Sequence, residues 1–168
     1  MSTKHTHIIS FYYGDKSRGM IEQVLSGFTA GLIATGAMTL TELPSWKRWG
    51  LHGVFEWHEN QAITERLIGS SKTNFFGIFF LHFLNGGLAG IAFCLLLSLL
   101  PTFTPSLFLL STTYGIILWI LTLAPIHKPL TGLHPWNHPL GKMPAITSLS
   151  GHVVFGVTVG AALVIING

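Results

Sequence analysis

Hydrophobic and polar positions occur along the chain in long blocks rather than in the short periods typical of a soluble fold. Four blocks are almost wholly apolar, at residues 24–43, 75–100, 106–124 and 146–166. A helix that crosses a bilayer needs about 20 predominantly apolar residues. The pattern therefore predicts an all-α membrane protein, a bundle of four transmembrane helices, with a polar N-terminal tail over residues 1–20 and a single domain over residues 21–168.

The connections between these blocks differ in length and composition. Pro101 and Pro105 bracket a short link that predicts a tight hairpin between the second and third spans. Residues 44–74 are rich in charge and have an impure amphipathic pattern, which predicts a short interfacial helix between spans 1 and 2. Residues 124–145 hold five of the eight prolines and predict a constrained loop at the interface.

Four spans put both termini on one face of the membrane and the two long connections on the other. Of the nine Lys and Arg residues, six lie in the long connections and three in the tail. Positive charge favours the cytoplasmic side, so we expect connections 44–74 and 125–145 to be cytoplasmic in a multi-pass cell-membrane protein. All five tryptophans lie in or near these connections, as is typical of interfacial anchors.

Composition supports the membrane interpretation. The chain is 49% hydrophobic and 9% charged, with a mean hydropathy of +0.55, whereas soluble domains carry about 25% charged residues. The net charge of +3 is scattered beside apolar segments, so we expect no nucleic-acid partner. With Cys94 as its one cysteine the chain forms no internal disulfide. The polar tail does not resemble a cleaved signal sequence, so we expect the first span to stay as an anchor.

A spacing of four residues recurs in three of the four spans. A polar residue is followed by glycine at the fourth and eighth positions: Gln23, Gly27 and Gly31; His82, Gly86 and Gly90; His152, Gly156 and Gly160. Residues four apart share a helix face, and small residues let membrane helices pack closely. We therefore expect these six glycines to pack helices together, and His82 and His152 to face the bundle interior.

Histidine is the most frequent ionisable residue type in this chain. Seven of the nine histidines fall on the face of the long connections, together with Glu42. The candidate metal ligands, assembled across elements for zinc or copper, are Glu42, His58, His82, His134, His138 and His152. A second candidate set is His52, Glu56 and Glu59. These residues would share one helix face if the segment from residue 51 is helical.

Each of these histidines also has a structural interpretation. Loop histidines beside proline often anchor the interface or bond to the backbone, and Glu42 could lie among headgroups or pair with Lys47. His82 and His152 could form a hydrogen bond between helices, with Asn85 as a partner. Ionisable groups inside a bilayer are costly and tend to be functional. For His82 and His152, a role in handling metal ions or protons and a hydrogen bond between helices therefore both stay open.

The residues also resemble a known family. The glycine-rich span 27–43 ending near Glu42, the run Tyr114, Gly115 and Trp119, and the segment 152–160 are similar to the YagU-like small four-helix membrane proteins of bacteria and archaea. The resemblance covers roughly residues 20–165 and implies the fold but no activity. The connection rich in proline and histidine departs from that family.

The sequence favours a non-catalytic subunit or accessory protein of a membrane complex, because it shows small residues and aromatic anchors but no nucleophile with a base. Its partners would be the lipid bilayer and other membrane subunits or further copies of this chain. The alternative is a protein that handles or transports metal ions or protons through histidine. The third hypothesis is a component of a membrane metalloenzyme. It ranks last because no complete ligand set is local in the sequence.

Overall fold

The computed structural model describes residues 19–70, 72–99 and 107–167. These residues form five α-helices and no strand: α1 Met20–Trp49, α2 Phe55–Ile68, α3 Phe75–Leu99, α4 Leu107–Thr131 and α5 Met143–Asn167. Short 3-10 turns cover Gly50–Gly53 and Pro135–Asn137. The predicted tail and the hairpin at Pro101 and Pro105 lie outside the described residues.

Four of the five helices, α1, α3, α4 and α5, are long and apolar enough to cross a membrane. Each covers the described residues of one of the four apolar blocks of the sequence. The all-α fold class and the four candidate spans are therefore confirmed, and they suggest a multi-pass membrane protein. The fifth helix, α2, is shorter and lies within the connection between the first two spans.

Two helices run past prolines at which the sequence predicted them to end. Helix α1 contains Pro44, and α4 contains Pro125 and Pro129. The prediction of a loop from residue 124 is therefore wrong for residues 124–131. Proline removes one backbone donor, but in an apolar setting the remaining backbone groups still bond best within a helix. The guanidinium of Arg66 donates hydrogen bonds to the carbonyls of Pro129 and Leu130, which stabilises this last turn of α4.

Glycines lie where helices approach most closely. Helix α1 packs against α3 and α5, and α4 packs against α5. A Cβ atom added to Gly27 of α1 would lie 2.7 Å from the carbonyl oxygen of Gly90 in α3. One added to Gly156 of α5 would lie 2.9 Å from the Cα atom of Thr112 in α4. Gly31, Gly86, Gly115 and Gly160 likewise face a neighbouring helix of the same chain.

Helix α2 is anchored near its N-terminal end against the long helices. Trp57 and Val54 pack with Ile78 of α3, and Phe55 packs with Leu123 of α4 and Ala145 of α5. Gly69 ends the helix in the left-handed conformation, with φ of 71°, which glycine adopts without strain. This anchoring places the acidic face of α2 against α3, α4 and α5.

Candidate functional site

Three glutamates each lie beside a histidine from another helix. The pairs and their shortest N···O distances are Glu42–His82 at 3.7 Å, Glu56–His152 at 3.4 Å and Glu59–His127 at 2.9 Å. The glutamates come from α1 and α2, and the histidines come from α3, α4 and α5. All five helices therefore contribute to this Glu–His network.

The inner pair, Glu42 and His82, is the most deeply buried. Glu42 has no exposed surface, and His82 is 5% exposed. No hydrogen bond to a described residue is made by His82 Nε2 or by either carboxylate oxygen of Glu42. The Glu42 side chain extends across the α1–α5 interface, where its Oε1 atom would lie 3.1 Å from a Cβ added to Gly151.

Glu42 lies in neither of the two structural positions that the sequence suggested for it. It is buried beside His82 rather than among headgroups, while Lys47 is exposed at the end of α1. A carboxylate in this position has lost its water and gained no full hydrogen bond, which is costly unless a proton or a positive charge neutralises it. The His82 imidazole 3.7 Å away is one group placed to share that proton, and the side chains of Glu56 and Trp57 also lie beside Glu42.

The middle pair, Glu56 and His152, is tied to α5. His152 Nδ1 lies 3.0 Å from the Ser148 carbonyl, to which it donates, and 3.4 Å from Glu56 Oε1. The Ser148 hydroxyl donates to the same Glu56 oxygen. The second oxygen, Glu56 Oε2, is buried and hydrogen-bonds to none of the described residues. Glu56 thus faces the interior with one bonded oxygen and one buried oxygen, and its side chain also lies beside Glu42.

The outer pair, Glu59 and His127, is joined by a hydrogen bond of 2.9 Å. Burial, and then the nearby Glu56 carboxylate, raise the pKa of Glu59 to about 9. At neutral pH the Glu59 carboxyl is therefore protonated, and its O–H donates to His127 Nδ1. This pair holds a proton that a carboxylate in water would have released.

More histidines surround the outer pair and reach the surface. The ring of exposed His52 lies 4.5 Å from that of His58, which lies 5.7 Å from that of His127. Burial, and then the neighbouring histidines, lower the pKa of His58 to about 4. Burial also lowers the pKa of His138, whose ring lies 6.4 Å from that of His127. This row of mostly neutral imidazoles links the Glu–His network to the surface.

A pocket that is partly open to the outside adjoins four members of the network. Its volume is about 350 Å³, and its polar lining includes Glu56, Glu59, His82 and His152. Asn85, expected to be a hydrogen-bond partner for one of the histidines, also lines it. The rest of the wall is largely apolar, from residues such as Phe155. A pocket of this size with a few convergent polar groups is typical of a ligand site.

The six candidate metal ligands do not form one site. Glu42, His82 and His152 belong to the inner and middle parts of the network, and His58 and His138 surround its outer pair. His134 is exposed, and its Nδ1 accepts from the backbone N–H of Trp136. Within residues 19–70, 72–99 and 107–167, no three His, Cys, Asp or Glu side chains are arranged to hold a metal ion. The zinc or copper site stays a prediction.

The face predicted from His52, Glu56 and Glu59 does not form either. Helix α2 begins at Phe55, so His52 lies in the preceding 3-10 turn and is exposed. The two glutamates instead contact His152 and His127.

The main residue missed by sequence reasoning is His127, which is fully buried. The prediction of a loop in this region leaves His127 without a place on a helix face. A spacing of four does mark that face, since Ser111, Gly115, Leu123 and His127 are all buried along α4. Continuing this spacing through Pro125 would have placed His127 inside the protein.

No protein-family model, curated protein or solved structure matches the chain.

Proposed function

We propose that this multi-pass membrane protein takes up and releases protons at the Glu–His network as part of proton-coupled transport. The observation that carries the proposal is the Glu42–His82 pair, a fully buried carboxylate 3.7 Å from an imidazole with which it forms no hydrogen bond. Ionisable groups within membrane helices commonly belong to ion or proton pathways.

The pair is suited to holding one mobile proton. With one proton between them, Glu42 and His82 are either both neutral or oppositely charged, and neither state leaves a lone buried charge. Adding or removing a proton creates such a charge, so exchange must be coupled to the neighbouring pairs or to another ion. The carboxylates of Glu56 and Glu59 and the imidazoles of His127 and His152 provide those neighbours.

The remaining histidines give this network a route to the surface. His52, His58 and His138 extend from the outer pair toward the connections that carry most of the Lys and Arg residues. In this proposal α1, α3, α4 and α5 cross the membrane as a bundle, and α2 lies at the interface. Protons would then enter from the cytoplasmic face, where positive charge is favoured.

The accessory-subunit hypothesis has less support at this site. It relied on glycine faces that would receive partner helices, whereas those glycines face other helices of the same chain. Nothing in the described contacts identifies a partner subunit, so that role remains a prediction.

The test is proton flux in proteoliposomes that enclose a pH-sensitive dye together with sodium, potassium and benzyltrimethylammonium salts. The flux is driven by an imposed pH gradient, and the enclosed cations can leave in exchange for protons. The wild-type protein should acidify the lumen faster than protein-free liposomes, and Glu42→Gln should reduce the rate to the protein-free level. Glu65→Gln is the matched control, because Glu65 lies on α2 and accepts from Gln61 rather than from a histidine. His82→Gln provides an independent second variant.

Two results would refute this function: a wild-type rate equal to that of empty liposomes, or Glu42→Gln and His82→Gln rates equal to that of Glu65→Gln. Gel filtration of each variant before reconstitution shows whether a lost rate reflects loss of folding.

A further inference from the structure

The cavity is larger and more apolar than proton exchange alone requires. Its volume of about 350 Å³ falls within the range of small-molecule pockets. Its ionisable lining residues are Glu56, Glu59, His82 and His152. Most of its other lining residues, Phe155 among them, are apolar and offer surface that water solvates poorly.

The charge of the lining selects the sign of a ligand. Glu56 and Glu59 line the cavity, while none of the described lining residues is Lys or Arg. Arg66, the basic residue of α2, instead donates to two carbonyls at the end of α4. The balancing groups in the lining are therefore histidines, which carry a positive charge only when protonated.

Two buried polar atoms of residues that line this pocket have no hydrogen-bond partner among the described residues. They are Oε2 of Glu56 and Nε2 of His82, whose side chain is 95% buried. Carboxylates bind an organic ammonium ion through ion pairing, and an apolar lining covers the hydrocarbon part of such an ion. A bare metal ion would need a denser set of ligands than the described residues provide.

We infer that the cavity binds a small organic ammonium ion, with its cationic group at Glu56 and Glu59 and its apolar body toward Phe155. This inference rests on the proposed function, because the bound cation takes the place of a proton that otherwise neutralises the carboxylates. Each ammonium ion that enters thus releases a proton to solvent, and the charge of the site is conserved. The protein would exchange protons for organic cations.

The probe is benzyltrimethylammonium, and its control is neopentylbenzene, in which carbon replaces the nitrogen. Calorimetric titration of the full chain in dodecyl maltoside, corrected with empty micelles, should show saturable binding of the cation and at least about tenfold weaker binding of the neutral isostere. Glu56→Gln should weaken cation binding by about tenfold or more, since it removes the charge of a buried pair. Glu65→Gln should leave binding unchanged.

The number of protons released per bound cation is a second readout. It would be zero if the cation only filled space without replacing a proton. Titrations in buffers of different ionisation enthalpy should show release of about one proton per cation bound, and tighter binding at pH 8 than at pH 6. Phosphatidylethanolamine is then added to identify the natural source of the ammonium group. Competition with the probe indicates a lipid headgroup, and no competition indicates a free amine.

Equal binding of the two probes by the wild-type protein, or the absence of saturable cation binding, overturns the inference without relying on any variant. If proton flux still depends on Glu42 in that case, the cation site alone fails. If the flux does not depend on Glu42 but the cation binds, the proposed function fails.

Discussion

Raising the pH from 7 to 9 should destabilise the folded protein through Glu59. Burial and the neighbouring Glu56 raise the pKa of Glu59 to about 9, against an ordinary value of 4.5. Above pH 7 the unfolded chain has already lost this proton, so the folded state binds more protons and becomes less stable as the pH rises. A single proton contributes at most about 1.4 kcal/mol per pH unit.

Because the folded carboxyl is half ionised near pH 9, the loss between pH 7 and pH 9 is about 2 kcal/mol. For a chain of this size that corresponds to a fall in Tm of about 4–8 °C. His58 acts in the opposite sense at lower pH, since its lowered pKa of about 4 adds stability as the pH rises toward 6.5. The Glu59 effect should therefore be measured above pH 7.

The assay is thermal unfolding in detergent at pH 7, 8 and 9, followed by circular dichroism. Glu59→Gln cannot ionise, so it should lose most of the decline, whereas Glu65→Gln should decline as the wild type does. The explanation fails if the melting curves of wild type and Glu59→Gln shift in parallel with pH. It also fails if the wild-type Tm does not fall between pH 7 and pH 9.

Three further predictions concern packing. Gly27→Leu should lower the Tm strongly because its Cβ would meet the backbone of α3, whereas Gly36→Leu, with open space around it, should not; equal effects would contradict this. Tyr114→Phe should cost about 1 kcal/mol in chemical unfolding, since its hydroxyl donates to the Ala89 carbonyl at 2.8 Å; an unchanged midpoint would show that this bond contributes nothing. Arg66→Ala should increase hydrogen exchange in the last turn of α4, because it removes the bonds to the Pro129 and Leu130 carbonyls, and Arg66→Lys should keep part of the protection. Unchanged exchange in Arg66→Ala would show that these two bonds do not hold the turn.

The apolar blocks were enough to predict the four long helices, because membrane-spanning length and composition are properties of a continuous segment. Helix ends were not predictable in the same way. Pro44, Pro125 and Pro129 usually end helices in water, but here contacts from other elements support the continued helix, such as the bonds that Arg66 makes to the end of α4. Those contacts come from residues about 60 positions away in the chain.

The site was predictable only in part. The four-residue spacing placed His82 and His152 on helix faces with glycines, and both are buried. Their partners could not be found by spacing, because Glu56 reaches His152 only once α2 packs across α3, α4 and α5. The orientation of α2 depends on Phe55 and Trp57 filling spaces between the long helices, which is a tertiary property.

The energetics of the inner pair indicate that it does not serve mainly to stabilise the fold. A buried polar atom without a hydrogen bond costs about 1–3 kcal/mol, and the pair has three such atoms among the described contacts: both oxygens of Glu42 and Nε2 of His82. Apolar side chains of similar volume would avoid this cost, as replacements of buried ion pairs often do. A 3.7 Å separation is too long for a stabilising hydrogen bond, yet short enough for a proton to move across after a small side-chain rotation. The arrangement therefore lowers stability, which is consistent with the proposed proton exchange.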